Sequence, residues 1–242
     1  MTTKAIIDRI HMNDPNIKHM DLSWRSLTLS QIKSLSEALA DNITLQELDL
    51  GGNNLGNCPE GMKFLSRALK VNKTLQKLNL NNNNLGNCPE GVKSLSEALK
   101  VNKTLRYLSL WGNNLGKCPV GMKILSEALK VNETLRVLRL GGNKFGNCSE
   151  SMKLLSEALK VNNALQTLVL NENNFGNCSE GLNSLSETLK NNGSIQALWL
   201  SDDNLDGTVI TEIENSIKRN KHNNFLKRSC LFGLLLPVIN QY

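Results

Sequence analysis

Cysteine stands at positions 58, 88, 118, 148 and 178, one every 30 residues, and the chain around each is nearly the same. Five segments opening at Leu45, Leu75, Leu105, Leu135 and Leu165 are near-copies; the one at Leu75 reads LQKLNLNNNNLGNCPEGVKSLSEALKVNKT. A diverged copy opens at Ile195, and a 28-residue copy runs from Ile17 to Thr44 with Ile17, Met20, Leu22 and Leu27 in the apolar slots. A period of this length means stacked supersecondary units, because one unit cannot bury its apolar face alone. The division that follows is 1–16 as an N-terminal cap, 17–224 as seven units of 28–30 residues, and 225–242 as a C-terminal cap or tail.

Each unit opens with LxxLxLxxNxL and continues into a helical pattern. Pro59, Pro89 and Pro119 suit a first helical position, where a missing N–H costs nothing. Apolar residues then recur at helical spacing, as in Val92, Leu95, Ala98 and Leu99. Asn72, Asn102 and Asn132 follow and suit a left-handed stop. The fold class expected is α/β, a leucine-rich repeat solenoid: a curved horseshoe with parallel strands on the concave face and helices on the convex face. Seven strands spaced about 4.8 Å apart give an inner surface of about 30 Å. The unit length, the LGNCPEG turn and the full helix resemble the ribonuclease-inhibitor-like subclass of leucine-rich repeats. The near-identical, Asn/Lys-rich units are also similar to effector-type repeat proteins that intracellular bacterial pathogens deliver into host cells. That resemblance implies a binding protein acting on a host protein or complex, in the cytoplasm or inside a host cell.

The formal net charge of +6 raises the question of nucleic acid or membrane. Residues 1–214 hold 23 of the 28 Lys/Arg and all 22 Asp/Glu, a balance of +1; residues 215–242 hold the other five basic residues and no acid, a balance of +5. A uniformly basic nucleic-acid binder is thereby disfavoured. No stretch has signal-peptide character or the length of a membrane span, so neither a Sec signal nor a transmembrane segment is expected. The six Cys are expected to stay reduced. Leu231 to Ile239 is expected to fold over the open end of the last unit, its rival role being a weak membrane or delivery signal with Cys230 as an acylation candidate.

The ladders read as structural. Metal ligands must converge on a point, whereas one Cys per unit is strung along the spine, so no metal and no cofactor is expected. Asn53, Asn83, Asn113, Asn143 and Asn173 are expected to satisfy backbone groups where the chain leaves each strand. Gly86 to Ser94 approaches a phosphate-loop spelling, but Val92 shifts the Lys and the segment recurs in other units. His11, His19 and His222 have no nucleophile beside them, and no catalytic set or small-molecule substrate is expected.

Side chains between the strand leucines point to the open face, because strand side chains alternate. All three Trp fall there: Trp24, Trp111 and Trp199, together with Tyr107. Lys77, Arg106, Arg136 and Arg139 make the middle of that face cationic, between acidic ends at Asp21, Glu47 and Asp49 and at Glu172 and Asp202. Trp, Tyr and Arg dominate binding hot spots. The eight candidates Lys77, Arg106, Tyr107, Trp111, Arg136, Arg139, Trp24 and Trp199 therefore point to a monomeric, non-enzymatic module gripping an acidic protein surface. Two alternatives stand beside it. Arg with stacking rings also suits structured RNA or a ribonucleoprotein such as the ribosome. A GTPase activator of the repeat type would donate an Arg finger.

Overall fold

A computed structural model describes residues 1–175, 179–200 and 205–231, with side chains to residue 224. Cys178, Ser201, Asp202, the Cys230 side chain and the apolar run after Leu231 lie outside the described residues. A first helix, α1 (Thr3–His11), precedes seven strand–helix pairs. They are β1 (His19–Asp21) with α2 (Leu29–Asp41), β2 (Glu47–Asp49) with α3 (Pro59–Val71), β3 (Lys77–Asn79) with α4 (Pro89–Val101), and β4 (Tyr107–Ser109) with α5 (Pro119–Val131). Then come β5 (Val137–Arg139) with α6 (Ser149–Val161), β6 (Thr167–Val169) with α7 (Ser179–Asn191), and β7 (Ala197–Trp199) with α8 (Gly207–Leu231). The strands form one sheet in chain order, β1 to β7. Neighbours pair in parallel one repeat apart, as in Lys77 with Tyr107 and Tyr107 with Val137. The structure is the open α/β repeat solenoid that the sequence predicts.

The core lies between sheet and helices. In the unit from Leu105, the strand leucines Leu105, Leu108 and Leu110 and the turn residue Leu115 meet Met122, Leu125, Ala128 and Leu129 of α5, all buried. Pro59, Pro89 and Pro119 open their helices, and Lys70, Lys100 and Lys130 sit in the last turns, where a cation suits the helix dipole.

Asn113 shows what the strand-exit ladder does. Its Oδ1 accepts from the backbone N–H of Asn83 (3.0 Å) and Leu85 (3.2 Å) in the preceding repeat. Its Nδ2 donates to the carbonyls of Leu80 (2.9 Å) and Trp111 (3.2 Å). One fully buried amide thus ties two repeats together where the chain leaves the strand.

The helix-end asparagines differ from expectation. Asn72, Asn102 and Asn132 are extended, not left-handed; Asn102 has φ −67° and ψ 130°. The side chain makes a left-handed turn unnecessary. Asn102 Oδ1 accepts from the N–H of Thr104 (3.0 Å) and Leu105 (2.7 Å), and Nδ2 donates to the Leu69 carbonyl (2.7 Å). Left-handed backbone falls instead after the strand, as at Asn54, Asn84 and Asn114 with φ near 60°, where the chain turns toward the helix.

Cys58, Cys88, Cys118 and Cys148 are free thiols at the helix entrances. Cys88 accepts from the N–H of Gly91 (3.2 Å), and burial pushes its thiol up. Among the described residues no His/Cys/Asp/Glu group could hold a metal, and no helix is long and apolar enough to cross a membrane. The last helix has 25 residues against 13 in the repeats before it, and it continues through residue 225. Its buried Asn220 donates to the carbonyls of Asn192 (2.7 Å) and Ile195 (2.9 Å), the work done elsewhere by a following repeat.

Candidate functional site

Two residues of each strand face the concave side, the third and fifth of its unit. Because pairing is in register, they form two columns across the sheet. The third-position column runs His19, Glu47, Lys77, Tyr107, Val137, Thr167, Ala197. The fifth-position column runs Asp21, Asp49, Asn79, Ser109, Arg139, Val169, Trp199. The face is therefore divided. From β1 to β3 it is charged; from β5 to β7 it is apolar apart from Arg139 and Thr167.

The charged half satisfies itself. Glu47 takes the Lys77 ammonium (2.5 Å) on one oxygen and His19 Nδ1 (3.0 Å) on the other. Those two partners, Lys77 foremost, hold the Glu47 carboxyl below its ordinary range. Asp49 accepts from Asn79 Nδ2 (2.7 Å) and from the Gly51 N–H (2.8 Å). Asp21 is lowered by the hydroxyl and N–H of Ser23. These side chains line an open hollow of about 550 Å³ that Tyr107 closes on one side.

The centre belongs to three residues that the structure brings together. Arg139 donates from Nη1 to the Tyr107 hydroxyl (3.3 Å), and its guanidinium carbon lies 5.3 Å from the Trp111 ring centroid, within cation–π range. Trp111 lies across Gly141 and Gly142 of the next repeat: a Cβ on Gly141 would fall into the ring, and one on Gly142 would stand 3.0 Å from Nε1. From the other side, Asn81 fixes the strand exit, its Oδ1 accepting from the Ser109 hydroxyl (2.5 Å) and the Trp111 N–H (3.0 Å). Trp111, Tyr107 and Arg139 are each half-buried.

The other candidates are placed elsewhere. Arg106 and Arg136, second in their units, precede the strands and turn to the rim. Arg106 donates to the Thr134 carbonyl (3.2 Å); Arg136 donates to the carbonyls of Glu133 (2.8 Å) and Ala164 (3.1 Å). Lys77 is on the face but paired. The cationic centre inferred from four residues thus narrows to Arg139, which has no carboxylate within ion-pair distance among the described residues. Trp24 (71% exposed) and Trp199 (59%) stand near opposite ends of the sheet, and Trp24 rests on Gly52 as Trp111 rests on Gly141. Val137, Val169 and Ala197 were missed as candidates, although reading the third and fifth positions as columns would have found them.

A family model described as a leucine-rich repeat matches residues 41–66, 71–96 and 131–147. No curated protein matches the chain. Among solved structures, the tropomodulin C-terminal domain of Caenorhabditis elegans is 11% identical, over 94% of this chain and 98% of that one, with a TM-score of 0.39. Leiomodin-1 actin-binding site 2 is 14% identical, over 94% of each chain, with a TM-score of 0.41. Identities and scores this low say nothing about partners.

Proposed function

We propose that the chain is a non-enzymatic protein-binding module that holds a partner protein on its concave face, with Tyr107, Trp111 and Arg139 at the centre. The observation that carries this reading is the seating of Trp111. Five near-identical repeats share a core pattern that places no ring there, yet one carries Trp at the strand exit and the next carries Gly-Gly to receive it. A ring held in place, beside an Arg oriented by a Tyr, enters a complex with little freedom left to lose. Its resemblance to effector-type repeat proteins supports a host protein as that partner. The protein reading is preferred to the RNA one because, among the described concave positions, Arg106 and Arg136 turn to the rim and Lys77 pairs with Glu47, which leaves Arg139 as the cation without an ion-pair partner. Nothing in the arrangement favours the GTPase-activator reading.

The test is capture from nuclease-treated host-cell lysate by the full chain and by its Trp111→Ala/Arg139→Ala variant, with circular dichroism to show that both are folded. The expected result is one or more proteins retained by the parent after nuclease and lost, at least about tenfold, by the variant. Equal retention by a folded variant overturns the site. Loss of capture on nuclease treatment overturns the protein-partner reading.

A further inference from the structure

The apolar half of the concave face admits one shape of ligand better than others. Arg139, Val169 and Trp199 lie in one column on adjacent strands; Val137, Thr167 and Ala197 lie beside them in the other. Parallel strands are about 4.8 Å apart, so two strand steps cover about 10 Å. The two columns are about 7 Å apart along the strand. A helix rises about 5.4 Å per turn, so one laid across the strands presents one side chain to each strand. An extended segment in that direction repeats its side chains about every 6.6 Å and slips out of step within two strands. The width of one apolar helix face matches the two columns.

We propose that β5 to β7 form a cradle for an amphipathic helix of the partner, lying across the strands. An apolar residue sits on Trp199, another about one turn on sits on Val169, and a carboxylate one further turn on meets Arg139. The charge pattern sets both the acid and the direction. Arg139 lacks a carboxylate among the described residues, and its guanidinium is already oriented by Tyr107 and Trp111. Beyond β5 the helix runs past the paired Lys77 and Glu47 toward Asp49 and Asp21, which have no ion-pair partner among the described residues and repel further acid; its continuation is neutral or basic. The reverse orientation would bring the acid to the Trp199 end, where the described concave positions hold no cation. This inference rests on the concave-face reading and specifies the ligand for it.

The probe is a phage-displayed library of single helices with one face randomised, selected against the full-length chain. Enriched helices are expected to carry Asp or Glu seven or eight positions from an apolar residue, in keeping with two helical turns. Their affinity should fall at least about tenfold with Arg139→Gln, as expected for a lost charge-assisted hydrogen bond, and as far with Val169→Asp. Glu97→Gln on the convex side serves as the unaffected control. Enrichment of helices without the acid, binding indifferent to Val169→Asp, or no enrichment above background overturns the helix assignment. The concave-face reading is judged separately by lysate capture. A partner lost on Trp111→Ala/Arg139→Ala, with no helix selected, keeps that reading and removes only this one.

Discussion

Gly141 is small so that Trp111 can be large. Its missing Cβ leaves the floor on which the indole of the preceding repeat lies. Gly141→Ala is expected to lift the ring into solvent at a stability cost of about 1 kcal/mol. Tryptophan emission, read in a Trp24→Phe/Trp199→Phe background, should shift to the red; an unshifted spectrum would show that the ring is not seated there. At this scale the sequence is a partial guide. Alternation along a strand is enough to place Tyr107, Trp111 and Arg139 on the open side. Alternation fails for Arg106 and Arg136, because their position precedes the strand. There the carbonyls of Thr134 and Ala164, the last residues of the same units, are within reach of a long guanidinium. The contact joins the second and last residues of one unit, 28 positions apart, so local alternation does not announce it. The pairing of Lys77 with Glu47 was legible in principle, since in-register parallel strands put the same position of successive units side by side.

Between elements, the strand-exit asparagines and the helix serines make opposite demands. Asn113 pairs the N–H groups of Asn83 and Leu85 and the Leu80 carbonyl, and adds a second bond to the Trp111 carbonyl, which also accepts from the Asn82 N–H. Asn113→Ala leaves buried donors open and is expected to cost about 3 kcal/mol or more. Ser96 is as deeply buried, but its hydroxyl has no partner among the described residues. Ser96→Ala is therefore expected to be neutral or mildly stabilising. Urea denaturation of the two variants checks both, and a comparable loss for the two would refute the distinction. The strand leucines, the proline helix starts and the Asn ladder were all readable from spacing, since each serves its own unit or its immediate neighbour. The helix-end asparagines were not. A left-handed turn and a side-chain bond to the next strand both call for Asn, and only the geometry separates them.

For the whole molecule, every repeat meets the next through nearly the same surfaces. Removing residues 75–104 joins Thr74 to Leu105, the same residue pair as Thr104 with Leu105 in the parent. The shortened chain is expected to fold, with the urea dependence of unfolding reduced by roughly one seventh, because that slope follows the surface exposed. Loss of cooperative unfolding would mean that the units are not interchangeable. The fold was legible at this scale because a period leaves few alternatives. The division of the concave face was legible only once the units were aligned on one another, because it lies in columns that cross all seven strands while the sequence is written along them.

The Asn ladder also fixes how the solenoid responds to tension. Each of its amides clasps one neighbour, and no strap runs from end to end among the described residues. Pulled by its termini, such a coil does not fail at once. It pays out one turn after another, about 100 Å of slack for each 30-residue unit released, and the turns still wound keep their grip.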